Sequence, residues 1–335
     1  MIKTIFFFRK PFPGYHSIEE LFGNIIKHLP TDIVSQPHVS KYASRGLVKR
    51  LYNLLEARRF QQEVNHITGD IHYIAYFLKK NKTLLTIHDL EIVKRNHFIK
   101  RYLILLFWFY IPIKRVRYVT VISEFTKKEL LKYLQVPAEK IKVIHNCIPG
   151  KIAYTPKPFN AACPVILQIG TKAHKNIPNL SEAIKNIPCK LIILGQLDKP
   201  LKKQLEWLAI DYENYNDLEY SEIIALYDRS DLVAFVSQYE GFGLPILEAQ
   251  AIGRPIVTSL AASMPEVAGD GAVLVDPYDV KAIRDAIKQI MNNPELRETL
   301  IKAGLENVKR FQPEVIAEEY AKVYRMIEAE DKNKV

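Results

Sequence analysis

The sequence predicts an α/β protein built as two doubly wound, Rossmann-like domains, each a parallel sheet covered by helices on both faces. Three observations carry this expectation. Short apolar runs alternate with amphipathic stretches in both halves, the pattern of strand–helix–strand crossovers. Residues 149–164, PGKIAYTPKPFNAACP, break that alternation with four prolines and no periodicity, as a linker does. Charge divides at the same place: residues 1–150 carry 25 Lys+Arg against 11 Asp+Glu, a net of +14, and residues 151–335 carry 22 against 26, a net of −4. At 335 residues, 48% of them hydrophobic and 25% charged, the chain is long for one core and comfortable for two.

The expected organisation is a first domain over 1–150, a linker over 151–164, a second domain over 165–312 and a terminal segment over 313–335. In the first domain Thr4–Phe8, Thr83–Ile87, Tyr118–Ile122 and Lys142–Ile144 read as strands. Ser17–Leu29, residues 98–113 and Lys127–Leu134 read as helices, the last entered through the capping hydroxyls of Ser123 and Thr126. In the second domain the strands are Val165–Ile169, Lys190–Leu194, Leu232–Val236, Ile256–Thr258 and Ala272–Val275. Helices fill the gaps at Ile177–Ile187, Ser221–Tyr227, Val280–Asn292 and Pro294–Phe311. Pro313–Met326 is amphipathic, with Ile316, Tyr320, Val323 and Tyr324 on one face.

Several classes are disfavoured. Cys147, Cys163 and Cys189 form no C-x-x-C pair, so they read as reduced, buried thiols of a cytoplasmic protein, with zinc not expected. The first apolar run, Ile5–Phe8, is too short for a signal peptide, and Tyr102–Ile113 is too short to span a bilayer. The basic half lacks any nucleic-acid recognition motif, so no nucleic-acid partner is expected. An anionic membrane surface suits it better: Tyr102–Tyr110 is rich in Leu, Phe, Trp and Tyr and is flanked by Lys100, Arg101, Lys114, Arg115 and Arg117. That stretch reads either as an interfacial segment or as a helix buried on the first sheet.

The chemistry concentrates in Asp231–Pro255, DLVAFVSQYEGFGLPILEAQAIGRP. An apolar strand leads to Glu240, and a Gly-Phe-Gly turn opens a helix with Pro245 in its first turn and Glu248 about one turn inside. Gly253 and Pro255 close it. Loops at the carboxyl edge of a parallel sheet are where ligands bind. The backbone N–H groups of Phe242, Gly243 and Leu244, with the helix start, can hold a phosphate. Two carboxylates would repel that anion but would accept the hydroxyls of a ribose or another sugar, so the pair describes a sugar nucleotide. Taken without its flanks, the pair also fits a solvated loop Glu and a first-turn Glu that complements the helix dipole.

The flanks decide between these. Tyr239–Gly271, YEGFGLPILEAQAIGRPIVTSLAASMPEVAGDG, resembles the donor-binding segment of family 4 glycosyltransferases, with the two glutamates bracketing the turn. Thr86–Asp89 (TIHD), Val119–Leu130 (VTVISEFTKKEL) and Ile169–Leu180 (IGTKAHKNIPNL) match further blocks in order. The match is strong from about Tyr118 onward and thin over the first 80 residues.

That resemblance implies a GT-B fold with the active site in an interdomain cleft, and retention at the anomeric carbon. It implies that His88 lines the site near the donor sugar, whereas a loop histidine taken alone is more often structural. Lys175 would stabilise the departing diphosphate, Glu240 would hold hydroxyls of the donor hexose, and Glu248 would accept the ribose diol. Many relatives carry an arginine beside Lys175; here only Lys172 is available, a point charge without the guanidinium fork. Gly14 sits where relatives often have a Gly-Gly pair near the diphosphate, although an ordinary turn fits it as well. No Asp-x-Asp motif occurs, so neither a metal nor another cofactor is expected.

The expected reaction moves a hexose from GDP-mannose or a UDP-sugar to a glycan or lipid-linked acceptor, as in bacterial surface polysaccharide synthesis. The protein would be cytoplasmic and peripheral at the inner membrane face. An epimerase or phosphorylase of the same fold is the nearest rival. A non-catalytic basic protein binding membrane or nucleic acid is the rival from another class.

Overall fold

In this computed structural model, which describes residues 1–11, 17–94, 96–150 and 152–332, β1 (Ile2–Phe8) sets the first sheet. Its run of apolar residues does not alternate because both faces are covered. Ile5 and Phe7 enter one core layer, and Phe6 and Phe8 enter the other. β2 (Ile33–Val39), β3 (Val64–Ile67), β4 (Thr83–Ile87), β5 (Tyr118–Val121) and β6 (Ile141–Val143) complete a parallel sheet of order β2-β1-β3-β4-β5-β6. The chain reverses direction between β1 and β3, which opens a crevice at their carboxyl ends.

The second sheet is also parallel. It holds β7 (Val165–Ile169), β8 (Lys190–Leu194), β9 (Tyr212–Tyr215), β10 (Leu232–Phe235), β11 (Ile256–Ser259) and β12 (Val273–Val275), in the order β12-β11-β10-β7-β8-β9. Its switch point lies between β7 and β10. One core layer joins Ile166, Ile193 and Ala234 to the helices Ile177–Ile184 and Val280–Asn292. The chain divides into two units, Ile148–Phe311 and Met1–Cys147 with everything from Gln312 onward. No helix among the described residues is long and apolar enough to cross a membrane.

The last helix, Pro313–Lys332, packs on the first sheet through Ile316, Tyr320, Val323, Tyr324 and Ile327. Its anchor is polar. His66 of β3 is fully buried and exchanges hydrogen bonds with the Tyr324 hydroxyl at 2.8 Å and with Thr86 Oγ1 at 2.7 Å. Thr86 in turn meets Thr120 Oγ1 at 2.6 Å, so three strands and the helix share one network.

Several features depart from the sequence reading. The helix expected over residues 98–113 runs as Phe98–Ile104, then a π-helical turn Leu105–Tyr110, then Ile111–Lys114. Neither reading of that stretch holds throughout, because Phe109 and Ile113 are buried while Phe98, Ile99, Tyr102 and Phe107 are exposed. The strands β2, β3 and β9 and the helix Leu47–Arg59 gave no legible pattern. Of the three cysteines expected to be buried only Cys147 is; Cys163 is exposed and Cys189 half-buried, since both lie where the second sheet begins.

Burial pushes the His66 imidazole down to about 3, so it stays neutral in the fold while an unfolded chain protonates it near 6.5. The unfolded state therefore binds the extra proton between those values, and stability drains away as pH falls from about 6.5 towards 3. Denaturation of a Trp207→Phe background, followed by Trp108 fluorescence, should show a pH 7.5 to 4.5 loss for the first unit that is smaller in His66→Gln. Equal losses with and without His66 would refute this assignment.

Candidate active site

The loops leaving β7 and β10 meet at the switch point of the second sheet. After β7 the chain turns at Gly170 with φ of 87°. A Cβ there would sit 2.7 Å from the Lys175 Cε, so only glycine lets the lysine stem fold back over the turn. Lys175 then places its Nζ 2.8 Å from Glu240 Oε1 and 4.6 Å from the centre of the Phe235 ring. Glu240 Oε1 is buried, and the lysine approaches too obliquely to make a directed hydrogen bond, so the contact is an ion pair. His174 Nε2 stands 3.8 Å from the same oxygen.

Side chains elsewhere hold this arrangement. Asn176 Nδ2 donates to the Val236 carbonyl at 3.0 Å and to the Pro277 carbonyl at 2.6 Å. Gln238 closes the set, donating from its backbone to the His174 carbonyl at 2.8 Å and from its side chain to Asn176 Oδ1 at 3.2 Å. The Ser263 hydroxyl bridges the carbonyls of Glu240 at 3.0 Å and Phe242 at 2.7 Å, which fixes the glycine turn. Phe242 points its ring inward onto Phe311, away from any ligand at the turn.

Gly243 caps the helix Leu244–Ile252. The N–H groups of Gly243 and Leu244 donate to no other described residue, leaving them available to an oxygen ligand. Glu248 lies in the second turn, buried, with the Tyr227 hydroxyl donating to its Oε2 at 2.6 Å, while the nearby Tyr220 hydroxyl donates to the Pro149 carbonyl at 2.9 Å. Burial holds its pKa above the usual carboxylate range, against the opposing pull of the two tyrosines and of Lys175.

Lys175, Glu240, Gly243, Leu244 and Glu248 thus share one corner of the second unit. Lys172 is exposed on the same loop and makes no ion pair among the described residues. Gly14 lies outside the described residues. His88 belongs to the first unit, at the carboxyl end of β4. Its Nε2 faces the Thr68 carbonyl at 2.7 Å and so carries the proton, which leaves Nδ1 as an acceptor. Gly69 permits this, since a Cβ there would lie 2.7 Å from the imidazole. His174, Asn176, Tyr220, Tyr227 and Ser263 escaped the sequence reading, because only the fold brings them to the site. Among the described residues no cluster of three or more His, Cys, Asp or Glu side chains could hold a metal ion.

Because Glu248 is raised, the folded state holds its proton more tightly than the unfolded chain, and the pair loses stability as pH rises through the folded value. Tyr227→Phe removes a donor to the charged form and raises it further. Its destabilisation, about 1–3 kcal/mol for a lost bond to a charged group, should be larger at pH 8 than at pH 5 in urea titrations. A cost independent of pH would count against a hydrogen bond to the ionised carboxylate.

Comparison with known proteins gives this geometry a lineage. The family model described as Glycosyltransferase Family 4 matches residues 11–149, and that of Glycosyl transferases group 1 matches residues 156–307. O-antigen chain mannosyltransferase B of Escherichia coli is 28% identical over 330 residues, 84% of this chain and 81% of that protein. O-antigen chain mannosyltransferase RfbU of Salmonella typhimurium is 28% identical over 232 residues, 65% of this chain and 63% of its own length. Among solved structures, Anabaena HepE in complex with UDP and glucose superposes with a TM-score of 0.75 at 16% identity, covering 97% of this chain and all of that one (100%). Sucrose-phosphate synthase from Thermosynechococcus elongatus reaches 0.77 at 16% identity, over 98% of this chain and 100% of its own. These likenesses show the GT-B fold, and with both halves matched the chain belongs to the family 4 glycosyltransferases.

Proposed function

We propose that this glycosyltransferase moves a hexose, with retention, from a nucleoside-diphosphate sugar to a hydroxyl of a glycan or lipid-linked acceptor in bacterial surface polysaccharide synthesis. The observation that carries the reading is the corner where Lys175, Glu240, the free N–H groups of Gly243 and Leu244, and buried Glu248 converge. Diphosphate needs cation and N–H donors; ribose and hexose need acceptors; both are present there. GDP-mannose is the first donor to test, in line with the mannosyltransferase relatives, and UDP-sugars follow from the UDP-bound HepE.

In this reading Glu248 accepts the ribose diol and Glu240 the hexose hydroxyls. The N–H groups of Phe242, Gly243 and Leu244 meet the sugar or diphosphate. The C1–O bond to phosphate breaks, its electron pair leaves with the nucleoside diphosphate, and the acceptor oxygen bonds to C1 on the same face. The acceptor proton passes to the departing phosphate oxygen. Lys175 gains most as that charge develops, with Lys172 as a second contact. By resemblance His88, through its Nδ1 acceptor, and Gly14 are assigned roles towards the donor, and no protein-bound metal takes part.

The acceptor side is proposed to work in the cytoplasm at an anionic membrane. The helix Leu47–Arg59 turns Leu47 (84% exposed), Val48, Leu51 and Leu55 to solvent beside Lys49, Arg58 and Arg59. Phe98, Ile99, Tyr102 and Phe107 are likewise exposed beside Lys100 and Arg101. Apolar residues presented between cations suit an interface with acidic headgroups.

Glu248→Ala should abolish the thermal shift and calorimetric heat given by the correct nucleotide. Lys175→Met should lower kcat by about 10²–10³-fold, the range for a lost charge-stabilising donor, with a smaller change in KM. Nucleotide affinity untouched in Glu248→Ala would sink the donor assignment. Separately, Leu47→Ser/Leu51→Ser should release the protein from phosphatidylglycerol vesicles; undiminished co-sedimentation would remove that helix from the membrane contact.

A further inference from the structure

The first unit has a cavity of its own, about 380 Å³, at the carboxyl ends of β1, β3 and β4, lined among others by Arg9, Arg50, Asp70, His72, His88 and Trp108. Its charges are unevenly satisfied. Arg9 is engaged by Glu19 at 3.0 Å and by Asp70. Asp89, also at the rim, accepts the Glu91 N–H at 2.8 Å. Arg50 has no carboxylate partner among the described residues. Its Nε donates to the Ser44 carbonyl at 3.1 Å, and its guanidinium lies 5.0 Å from the Trp108 ring and 5.9 Å from that of Tyr73. Carbonyl and rings hold the guanidinium in place while both terminal nitrogens stay unbonded to any described residue.

Trp108 is held just as firmly. The His72 Nδ1–H donates to the Trp108 carbonyl at 2.8 Å, and the two rings lie 6.0 Å apart. Tyr73 packs at 5.6 Å from the indole. The indole N–H of Trp108 meets no acceptor among the described residues. His72 is buried and its pKa is lowered, first by desolvation, so it anchors the π-helical turn as a neutral ring and adds no charge. His88 lines the same cavity.

We infer that this cavity is a binding site for a phosphate-bearing acceptor, with Arg50 as its anion ligand beside the Trp108 indole. The inference rests on the glycosyl-transfer reading above and names the class of acceptor it uses. Neutral sugar hydroxyls do not need a fixed, unpaired guanidinium, whereas a phosphate oxygen pair matches its fork. An aromatic face beside it suits the apolar side of a sugar ring, and the Trp108 N–H adds one more donor. The phosphate can belong to the diphosphate of a lipid-linked glycan or to an ester on the glycan itself; the recognition chemistry is shared.

The test is calorimetry on the whole protein with GDP or UDP saturating, so that diphosphate cannot report from the second unit. The probes are a water-soluble short-chain prenyl diphospho-N-acetylglucosamine, mannose 6-phosphate, and each sugar without phosphate. Wild-type protein should prefer at least one phosphorylated probe over its unphosphorylated partner by tenfold or more. Arg50→Met should erase that preference, and Arg50→Lys should restore part of it by charge without the fork. In turnover, Arg50→Met should raise the acceptor KM more than it lowers kcat. Preference for the prenyl probe identifies the lipid diphosphate, and preference for mannose 6-phosphate identifies a glycan ester. Equal affinity for phosphorylated and plain sugars, or a preference that survives in a folded Arg50→Met, overturns the inference. A wild-type protein that binds no nucleotide at all would instead overturn the glycosyl-transfer reading.

Discussion

Between β7 and β10 two neighbouring parallel strands send their chains in opposite directions, and the gap this leaves is bridged by the Asn176 side chain, with Gln238 beside it. Asn176, left-handed at φ of 63°, spans from the β7 loop to carbonyls after β10 and β12. With that strut in place the Lys175 ammonium and Glu240 carboxylate have one meeting point, and neither needs a helix or strand beneath it. Loops usually carry function at the cost of precision. Here the strut, the Gly170 turn and the Ser263 bridge recover the precision by tertiary hydrogen bonds.

Glu248 shows what the site gives up for chemistry. A buried carboxylate costs free energy unless it is fully bonded. Two tyrosine hydroxyls and a distant Lys175 do not fully offset the burial, since the pKa remains raised. A glutamine of the same shape would avoid the desolvation of a charge. The carboxylate offers what the amide cannot, two acceptor oxygens and no donor to clash with a diol. On the proposed reading the instability is retained for the ligand, the pattern expected where local rules are broken at a functional site.

How much of this was legible depended on whether a residue signals through its neighbours in sequence or only through the fold. The turn from Glu240 to Pro245 could be read because glycine and proline state their backbone requirements directly. The central strands could be read because burial on both faces leaves an unbroken apolar run. β2 could not: as an edge strand it keeps Ser35, Gln36 and Pro37, and Pro37 is tolerable only there. β3 hid behind Asn65 and His66, polar residues buried because Thr86 and Tyr324 wait for His66 from elsewhere in the chain. Tyr220 and Tyr227 are ordinary helix residues until the fold lays them against Glu248. The π-helical turn could not be foreseen, since its extra residue per turn answers to the carbonyl contacts made by His72 and Tyr76.

The helix Leu47–Arg59 failed to register for a more informative reason. Its apolar residues face both ways: Leu54 and Ala57 enter the core beside Asn53, which is bonded to the Tyr42 carbonyl at 2.7 Å and the Tyr73 hydroxyl at 3.1 Å, while Leu47, Leu51 and Leu55, one turn apart, face outward. An apolar stripe in water gains nothing for the folded monomer, and scattered exposure would not recur at helical spacing. The stripe fits the membrane contact proposed above, which supplies a second apolar phase. The cations around it restrict that phase to one with a negative surface. Arg50 lies on the same helix, in contact with Trp108 across the cavity, so the surface proposed to meet such a phase and the guanidinium proposed to hold a phosphate are built on one element. On that proposal the +14 charge of residues 1–150 has a local use that a diffuse nucleic-acid field would not explain.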